Sequence, residues 1–413
     1  MVTKYDIFEI VYKEEDLKAN EILEKIKSPE KSYKNIYRIL TELEKEKLLI
    51  KELDQYSIKK SEKSKLLYEI IYYCLRNNVN YNLLLDKNLI NFVYLGLKKG
   101  ELNQKFSKIN PRTFTKYLQI LNKYGLALIT SKKPLTGIIF YNTLINNLLV
   151  YFDLSHLDIK KINLDYLNEI DRELKLYRQL RKKNEAGFQR IVQEFEVSFV
   201  HHSLSLEGNP VTLPDTIKIL QDKIIPTDLK TEDVDEIKNY QIAVLQMLNN
   251  SFQKTALSID SVLSYHKLAM AHKPEIAGKI RDIEVHIKGN PDFKVSKFKD
   301  IKPALEKLFE KYNKFISENQ KDPKEILEFA SYFHSEFQHI HPFVDGNSRI
   351  TRLITFHLLN SKDIPILDIP FGLLDEYLNL TKGSKKRDDK EFLQNLERII
   401  LFNLKKINEK LSI

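Results

Sequence analysis

Apolar residues recur at steps of three and four on both sides of one proline, and this pattern limits the possible folds more than any other. Upstream, Ile326, Ala330, Phe333, Phe337 and Ile340 share a helical face; downstream, Ile350, Leu353, Ile354 and His357 or Leu358 do the same. Pro342 has no amide hydrogen for a continuing helix, so the two runs cannot form one rod. The spacing predicts a helix, a loop over His341 to Asn347, and a second packed helix. Phe343, inside the loop, is expected to plug the core as a structural anchor.

That loop gathers unusual chemistry. The stretch HIHPFVDGNSRITR, residues 339–352, holds a histidine, a carboxylate, a Gly-Asn pair and two arginines. Gly346 and Asn347 fall where the second helix begins, so free N–H groups there form an anion seat. Arg349 and Arg352, three apart, share a face and suit a polyphosphate. Asp345 could hold a Mg²⁺ bridging phosphate oxygens. His341, with an ordinary pKa of ~6.5, can take a proton from a hydroxyl at neutral pH. Each residue alone has a plainer reading: loop histidine, helix cap, solvated arginines. Together, in this order, they describe base-assisted attack of a hydroxyl on a nucleotide phosphate.

At 413 residues the chain exceeds a single core, and two or three domains are expected. The sole cysteine, Cys74, can form no internal disulfide, and no Cys/His spacing suggests zinc. No run reaches the ~18 apolar residues of a membrane helix, and the first residues lack a signal-peptide pattern, so a cytoplasmic protein without membrane association is expected.

Charge is unevenly placed. Residues 1–150 carry 26 Lys+Arg against 17 Asp+Glu, a net of +9 that equals the whole-chain excess of 66 against 57. Residues 81–150 hold 10 basic and 2 acidic side chains. Helical spacing followed by short strand patterns occurs twice, predicting a winged-helix-like domain over 1–62 and a second, basic one over 63–154. In the first, Glu42, Glu44 and Glu46 would repel phosphates. In the second, Arg112, Lys116 and Lys123 on a helix, with Lys132 and Lys133 on its wing, are candidate DNA contacts. A docking role for both is the alternative. From residue 155 the pattern is almost wholly helical, except that Ile283, Val285 and Ile287, a Gly-Asn-Pro turn, then Phe293 and Val295 predict a β-hairpin whose edge could take a target chain by strand addition.

HPFVDGNSRITR is similar to the signature of the Fic family, His-Pro-Phe-x-Asp/Glu-Gly-Asn-Gly/Lys-Arg-x-x-Arg, and His334 and Phe337 fit its lead-in. The resemblance covers roughly residues 160–413, with Asn239 and Tyr240 matching a further family element. It implies a mainly α fold: an all-helical Fic core with a β-hairpin flap, here preceded by the two winged-helix (α+β) domains. It also implies transfer of AMP from ATP to a Ser, Thr or Tyr hydroxyl of a target protein, or of the chain itself. By matching position, His341 is the base, Asp345 the Mg²⁺ ligand, Gly346, Asn347 and Ser348 the anion seat, and Arg349 and Arg352 the phosphate clamps. The flap places Ile287, Lys288, Gly289 and Asn290 against the nucleotide, and Tyr377 loosely resembles a family tyrosine. Ser348 departs from the usual glycine and from the lysine of phosphorylating members, which favours AMP transfer over phosphorylation.

SLSLEGN, residues 203–209, resembles the family's inhibitory motif, on a helix expected near 195–208. A Glu207 carboxylate reaching Arg352 would take that guanidinium from the γ-phosphate, with Ser203 tying the helix. His201 and His202 are read as structural. Two rival functions remain: removal of AMP, with Glu207 orienting a water, and a DNA-binding transcriptional regulator whose Fic body senses nucleotide. A homo-oligomer is compatible with all three.

Overall fold

The computed structural model describes residues 2–26, 32–154, 158–160, 166–287, 290–318, 322–365 and 368–413. The chain divides into two compact units, one of residues 1–123 and 129–161, the other of 124–128 and 162–413.

In the first unit one element order occurs twice. Its first occurrence runs α1 (Lys4–Lys13), β1 (Leu17–Lys18), α2 (Ala19–Lys25), α3 (Tyr33–Lys45), β2 (Leu49–Glu52) and β3 (Gln55–Ile58). The strands form an antiparallel sheet in the order β1-β3-β2, with Leu17 opposite Tyr56 and Leu49 opposite Ile58. Ser32 caps α3 by accepting the Asn35 N–H, and Ile36, Ile39, Leu40 and Leu43 bury one stripe of that helix. Two of the glutamates expected to repel phosphate are already neutralised: Lys4 Nζ lies 3.2 Å from Glu42 and 2.6 Å from Glu46.

After α4 (Glu62–Arg76) and α5 (Tyr81–Leu84) come α6 (Lys87–Lys99), β4 (Leu102–Asn103), α7 (Gln104–Ser107), α8 (Pro111–Lys123), β5 (Ala127–Lys132) and β6 (Leu135–Ile139), with sheet order β4-β6-β5, then α9 (Thr143–Tyr151). Pro111 opens α8, where its missing N–H costs nothing, and Gly125 follows the helix end at φ 67°. Arg112, Lys116, Lys123, Lys132 and Lys133 are all exposed.

The second unit is helical: α10 (Leu167–Lys183), α11 (Glu185–Ser205), α12 (Leu213–Ile217), α13 (Thr231–Phe252), α14 (Ile259–Ala269), α15 (Ile301–Ser317), α16 (Pro323–Ile340), α17 (Asn347–Ser361), α18 (Leu374–Leu380) and α19 (Asp389–Leu411). The stretch before Leu206 forms two successive helices, α10 and α11, parted at Asn184. Helix α17 is its centre, with every residue but Ser348 buried and α11, α13, α14 and α16 packed around it. A helix covered on all sides cannot be amphipathic, and α17 accordingly alternates apolar residues with threonines whose hydroxyls bond back to the preceding turn, Thr351 to Asn347 O and Thr355 to Thr351 O, each at 2.8 Å.

The hairpin expectation is corrected here. Among the described residues of 281–298 no strand forms. Groups that a ladder would use are taken by other partners: Arg281 donates to the carbonyls of Ile283 (2.7 Å) and Ser296, His339 Nδ1 to that of Lys294 (2.8 Å), and the Ser296 N–H to that of His339 (2.8 Å). Phe293 stacks on the His339 ring at 4.5 Å. In place of a strand ladder, the segment is tied to itself by the Arg281 side chain and to helix α16 through His339.

Candidate functional site

The loop between α16 and α17 is held from three sides. His341 ends α16 in the left-handed region, φ 50°, and its N–H bonds Phe337 O at 3.0 Å. Arg281 grips the next step: its N–H donates to Pro342 O at 2.9 Å and its Nε to His341 O at 2.8 Å. Phe343 is fully buried and stacks on His266 with ring centres 3.8 Å apart. The Asn347 side chain accepts the Phe343 N–H at 2.9 Å and donates to its carbonyl at 2.8 Å. His266 in turn accepts the Gly278 N–H on Nδ1 (2.9 Å) and donates from Nε2 to Asp345 O (3.0 Å), which assigns a neutral ring. Burial pushes its pKa down to about 4. Asn347 therefore serves chiefly as the clasp that shapes the seat. Gly346 caps α17 at φ 84°, and a Cβ there would meet Met270 Sδ at 3.0 Å and His266 Nε2 at 3.2 Å, so only glycine fits. Lacking a side chain, it leaves the first-turn N–H groups of α17 without a side-chain cap at that position, the donor set an anion takes.

His341 is oriented as a base. Its Nδ1 lies 3.2 Å from Gln338 O, a contact that only a protonated Nδ1 can make, which leaves Nε2 as the acceptor. Burial, reinforced by Arg281, pushes its pKa down to about 4 despite the Gln338 bond, so the ring is neutral at pH 7.

The two arginines diverge. Arg349, 3% exposed, gives one nitrogen to Glu236 of α13 and another to Asp345 Oδ1 at 2.8 Å. Asp345 Oδ2 takes Lys273 Nζ at 2.9 Å and Oδ1 also takes the Gly346 N–H at 2.6 Å. Burial would raise this carboxyl; Arg349 and Lys273 outweigh it and hold the pKa at about 2. Arg352, 2% exposed, donates from Nε to Ser203 Oγ at 2.7 Å and from Nη2 to Ser203 O and Glu207 Oε1, both at 2.9 Å. Glu207 Oε2 takes Lys382 Nζ at 3.1 Å. Burial again opposes the charge, and Arg352 and Lys382 keep the carboxyl below its ordinary range. Helix α11 ends at Ser205, so Glu207 sits in the turn just beyond it rather than on the expected helix. Ser203 Oγ also meets Tyr240 OH at 2.8 Å.

Other expected residues scatter. Asn290 donates to the carbonyls of Lys382 (2.9 Å) and Ser384 (2.7 Å), and Ile287 lies in the same extended segment; Lys288 and Gly289 fall outside the described residues. Tyr377 is buried, its hydroxyl 2.8 Å from His334 Nε2. His202 pairs with Asp368 at 2.9 Å inside the core, as a structural histidine does. Five residues that sequence reasoning did not single out complete the site: Glu236, His266, Lys273, Arg281 and Lys382. Of these only His266 left a local signal, a histidine on the buried stripe Val262, Tyr265, Ala269. A cleft lined by Phe293, His334, Gln338, His339, Thr381 and Ser384 opens beside α16, and Gln338 Nε2 is buried there without a partner among the described residues.

Residues 256–359 match the family model described as Fic/DOC family. Curated relatives named Protein adenylyltransferase Fic, from Drosophila persimilis and Drosophila mojavensis, are each 26% identical over 245 residues, 58% of this chain and 44% of theirs. The chain thus spans less than half the length of those relatives. A Fic domain containing signaling protein from Bacteroides thetaiotaomicron superposes with a TM-score of 0.52 at 18% identity, covering 60% of this chain and 98% of that one, which shows a shared, mainly α Fic fold. No helix among the described residues is long and apolar enough to cross a membrane.

Proposed function

We propose that this chain, the bearer of a Fic domain over residues 256–359, transfers AMP from ATP to a Ser, Thr or Tyr hydroxyl of a protein, its own chain included, and that Glu207 restrains the reaction. The observation that carries the reading is His341: neutral, with Nε2 free to accept, at the mouth of a helix N-terminus flanked by two guanidiniums. Nε2 takes the hydroxyl proton as the oxygen attacks the α-phosphorus; the bond from that phosphorus to the bridging oxygen breaks, and pyrophosphate leaves. The α17 N–H groups and Arg349 stabilise charge gathering on the phosphate oxygens. The rest of the nucleotide is assigned to the cleft beside α16, a reading supported by the buried Gln338 Nε2, which has no partner among the described residues, and by the Asn290–Ser384 contact.

Asp345 is the residue that would hold Mg²⁺. It fits as a single hard, ionised oxygen donor, and the ion would offset phosphate charge.

The brake follows from the partners of Arg352. While Glu207 and Ser203 hold its nitrogens, the guanidinium is unavailable to the γ-phosphate, and misplaced ATP reacts slowly. Lys382 adds a second latch. AMP removal is less supported, because both Glu207 oxygens are engaged by cations. The direct test is incubation with α-labelled ATP and Mg²⁺: Glu207→Gly should label target or itself above wild type, and adding His341→Ala should silence it. Equal labelling of folded wild type and Glu207→Gly would remove the brake from the proposal.

The exposed Arg112, Lys116, Lys123, Lys132 and Lys133 support a winged-helix, DNA-binding reading of residues 81–150. Changing Arg112, Lys116 and Lys123 to Glu should abolish shifts of genomic fragments at low salt; no shift by the unaltered protein would leave a docking role.

A further inference from the structure

Both oxygens of Asp345 carry a cation, and the two cations differ in freedom. Arg349 is buried, and its other arm is fixed by Glu236, which is itself held by the Asn209 amide at 2.8 Å. Lys273 sits on the turn after α14 with its side chain 35% exposed, and its ion pair with Asp345 is its only one among the described residues. The described residues also hold no group of three or more carboxylate, imidazole or thiol side chains that could cage a metal. A divalent cation meeting the nucleotide-free protein would find one carboxylate already balanced by two positive charges. A polyphosphate reverses that: it brings negative charge, supplies the oxygen ligands the protein lacks, and offers the Lys273 ammonium a new acceptor.

We propose that Lys273 is a positioning residue that closes Asp345 to divalent metal until a nucleotide polyphosphate arrives, and then moves its ammonium from Asp345 Oδ2 to the phosphates, so that metal and nucleotide load together. The inference rests on Asp345 being the metal carboxylate of the proposed reaction. The plain alternative is a surface lysine that merely pairs with a nearby acid, in which case its removal leaves metal affinity alone.

The test uses the full chain carrying Glu207→Gly, so that nucleotide can seat, and reads free Mn²⁺ by electron paramagnetic resonance with and without a non-hydrolysable ATP analogue. The parent should bind Mn²⁺ weakly alone and tightly with the analogue. Adding Lys273→Met should tighten Mn²⁺ binding without nucleotide by about tenfold, the scale of one unit charge removed at a few ångströms through largely water-like screening, and should weaken binding of the analogue itself. Asp345→Asn should lose Mn²⁺ binding in every state. If Lys273→Met and the parent bind Mn²⁺ alike without nucleotide, or neither binds it detectably, while Asp345→Asn loses the analogue-dependent binding, Lys273 is not the gate. If Asp345→Asn binds Mn²⁺ as the parent does, Asp345 is not the metal ligand, and the proposed role of Asp345 fails along with that of Lys273. Melting temperature checks folding of each variant, and a half-exposed pair should move it little.

Discussion

Arg349 and Arg352 stand nearly one turn apart on the same helix and are equally buried, yet their counter-charges differ in kind. Arg349 is matched by Glu236, in the middle of α13, and by Asp345, in a loop clasped by Asn347 and His266. Arg352 is matched by Glu207, in a turn past the end of α11 beside Gly208 at φ 97°, where a Cβ would meet no atom within 4 Å. A buried guanidinium needs a partner whenever substrate is absent. Where the partner is built into the scaffold the arginine is part of the floor; where it sits on a helix end with space beside it, the same arginine can be a switch.

The most severe way to break this comparison is to remove the switched arginine. Arg352→Ala strands Glu207 with only Lys382 and leaves Ser203 and Tyr240 facing a void, a loss on the order of 3–5 kcal/mol, visible as a lower urea midpoint at unchanged slope. Within a Glu207→Gly background the same change should cut AMP transfer by about a hundredfold or more, as loss of a charge-stabilising donor does. If Arg352→Ala labels as well as the Glu207→Gly parent, Arg352 is no phosphate clamp and the brake has nothing to act on.

Glu207→Gly should raise transfer on the order of tenfold or more, since it frees a charge-assisted donor worth roughly 1.5–3 kcal/mol. Lys382→Ala removes only the second latch and should raise wild-type transfer a few-fold, about what a part-exposed pair can contribute. Glu207 contacts both residues, so the two substitutions should not add: in the absence of Glu207, Lys382→Ala should no longer accelerate. Acceleration that persists there would mean Lys382 obstructs the site by itself.

His341, at the end of α16 just before the loop that leads to both arginines, gives the comparison a pH axis. A base must be neutral, and its pKa is lowered to about 4, so transfer by Glu207→Gly should stay flat as pH falls from 8 to 6 and drop only near pH 4–5. A drop centred near 6.5 would show an ordinary, solvated histidine. Stability follows the same sign. His266, His341 and His357 are held at about 4 and His334 at about 3, all by burial. The unfolded chain therefore binds more protons, and the stabilisation, complete above ~6.5, is lost as pH falls toward 4, on the order of 3 kcal/mol for each such histidine. Urea midpoints across that range read it directly.

What could be read from sequence was whatever is local. The helix–loop–helix around Pro342, the turn at Gly346 and the residues Ser203 and Glu207 that meet Arg352 lie in short runs whose order and spacing carry the information. Glu236, Lys273, Arg281 and Lys382 do not stand out, because each is an ordinary charged residue until folding brings it within hydrogen-bond reach of a partner about 60 to 175 residues away. The hairpin at 283–295 was misread for the complementary reason: alternation reports an extended chain with two faces, and nothing in it says whether the hydrogen bonds go to a sister strand or to Arg281 and His339.

The smallest effect tests the seat itself. Gly346 and Ser348 flank Asn347 at the start of α17, and the resemblance to the Fic signature would place glycine at both. Their surroundings are unlike: Gly346 has positive φ and neighbours at 3.0 and 3.2 Å, whereas Ser348 is in ordinary helical backbone, half-buried, with no hydrogen bond among the described residues. Ser348→Gly should therefore cost up to about 1 kcal/mol of stability through the freer helix backbone and change transfer by Glu207→Gly less than about threefold, since the backbone N–H that an anion uses is unchanged. A loss beyond about tenfold would show that the hydroxyl bonds a phosphate in the transition state, since a hydrogen bond to a charged group is worth roughly 1.5–3 kcal/mol. A gain of that size would show that the side chain crowds the phosphates, and that the serine, with Glu207, is a second and milder restraint on the same seat.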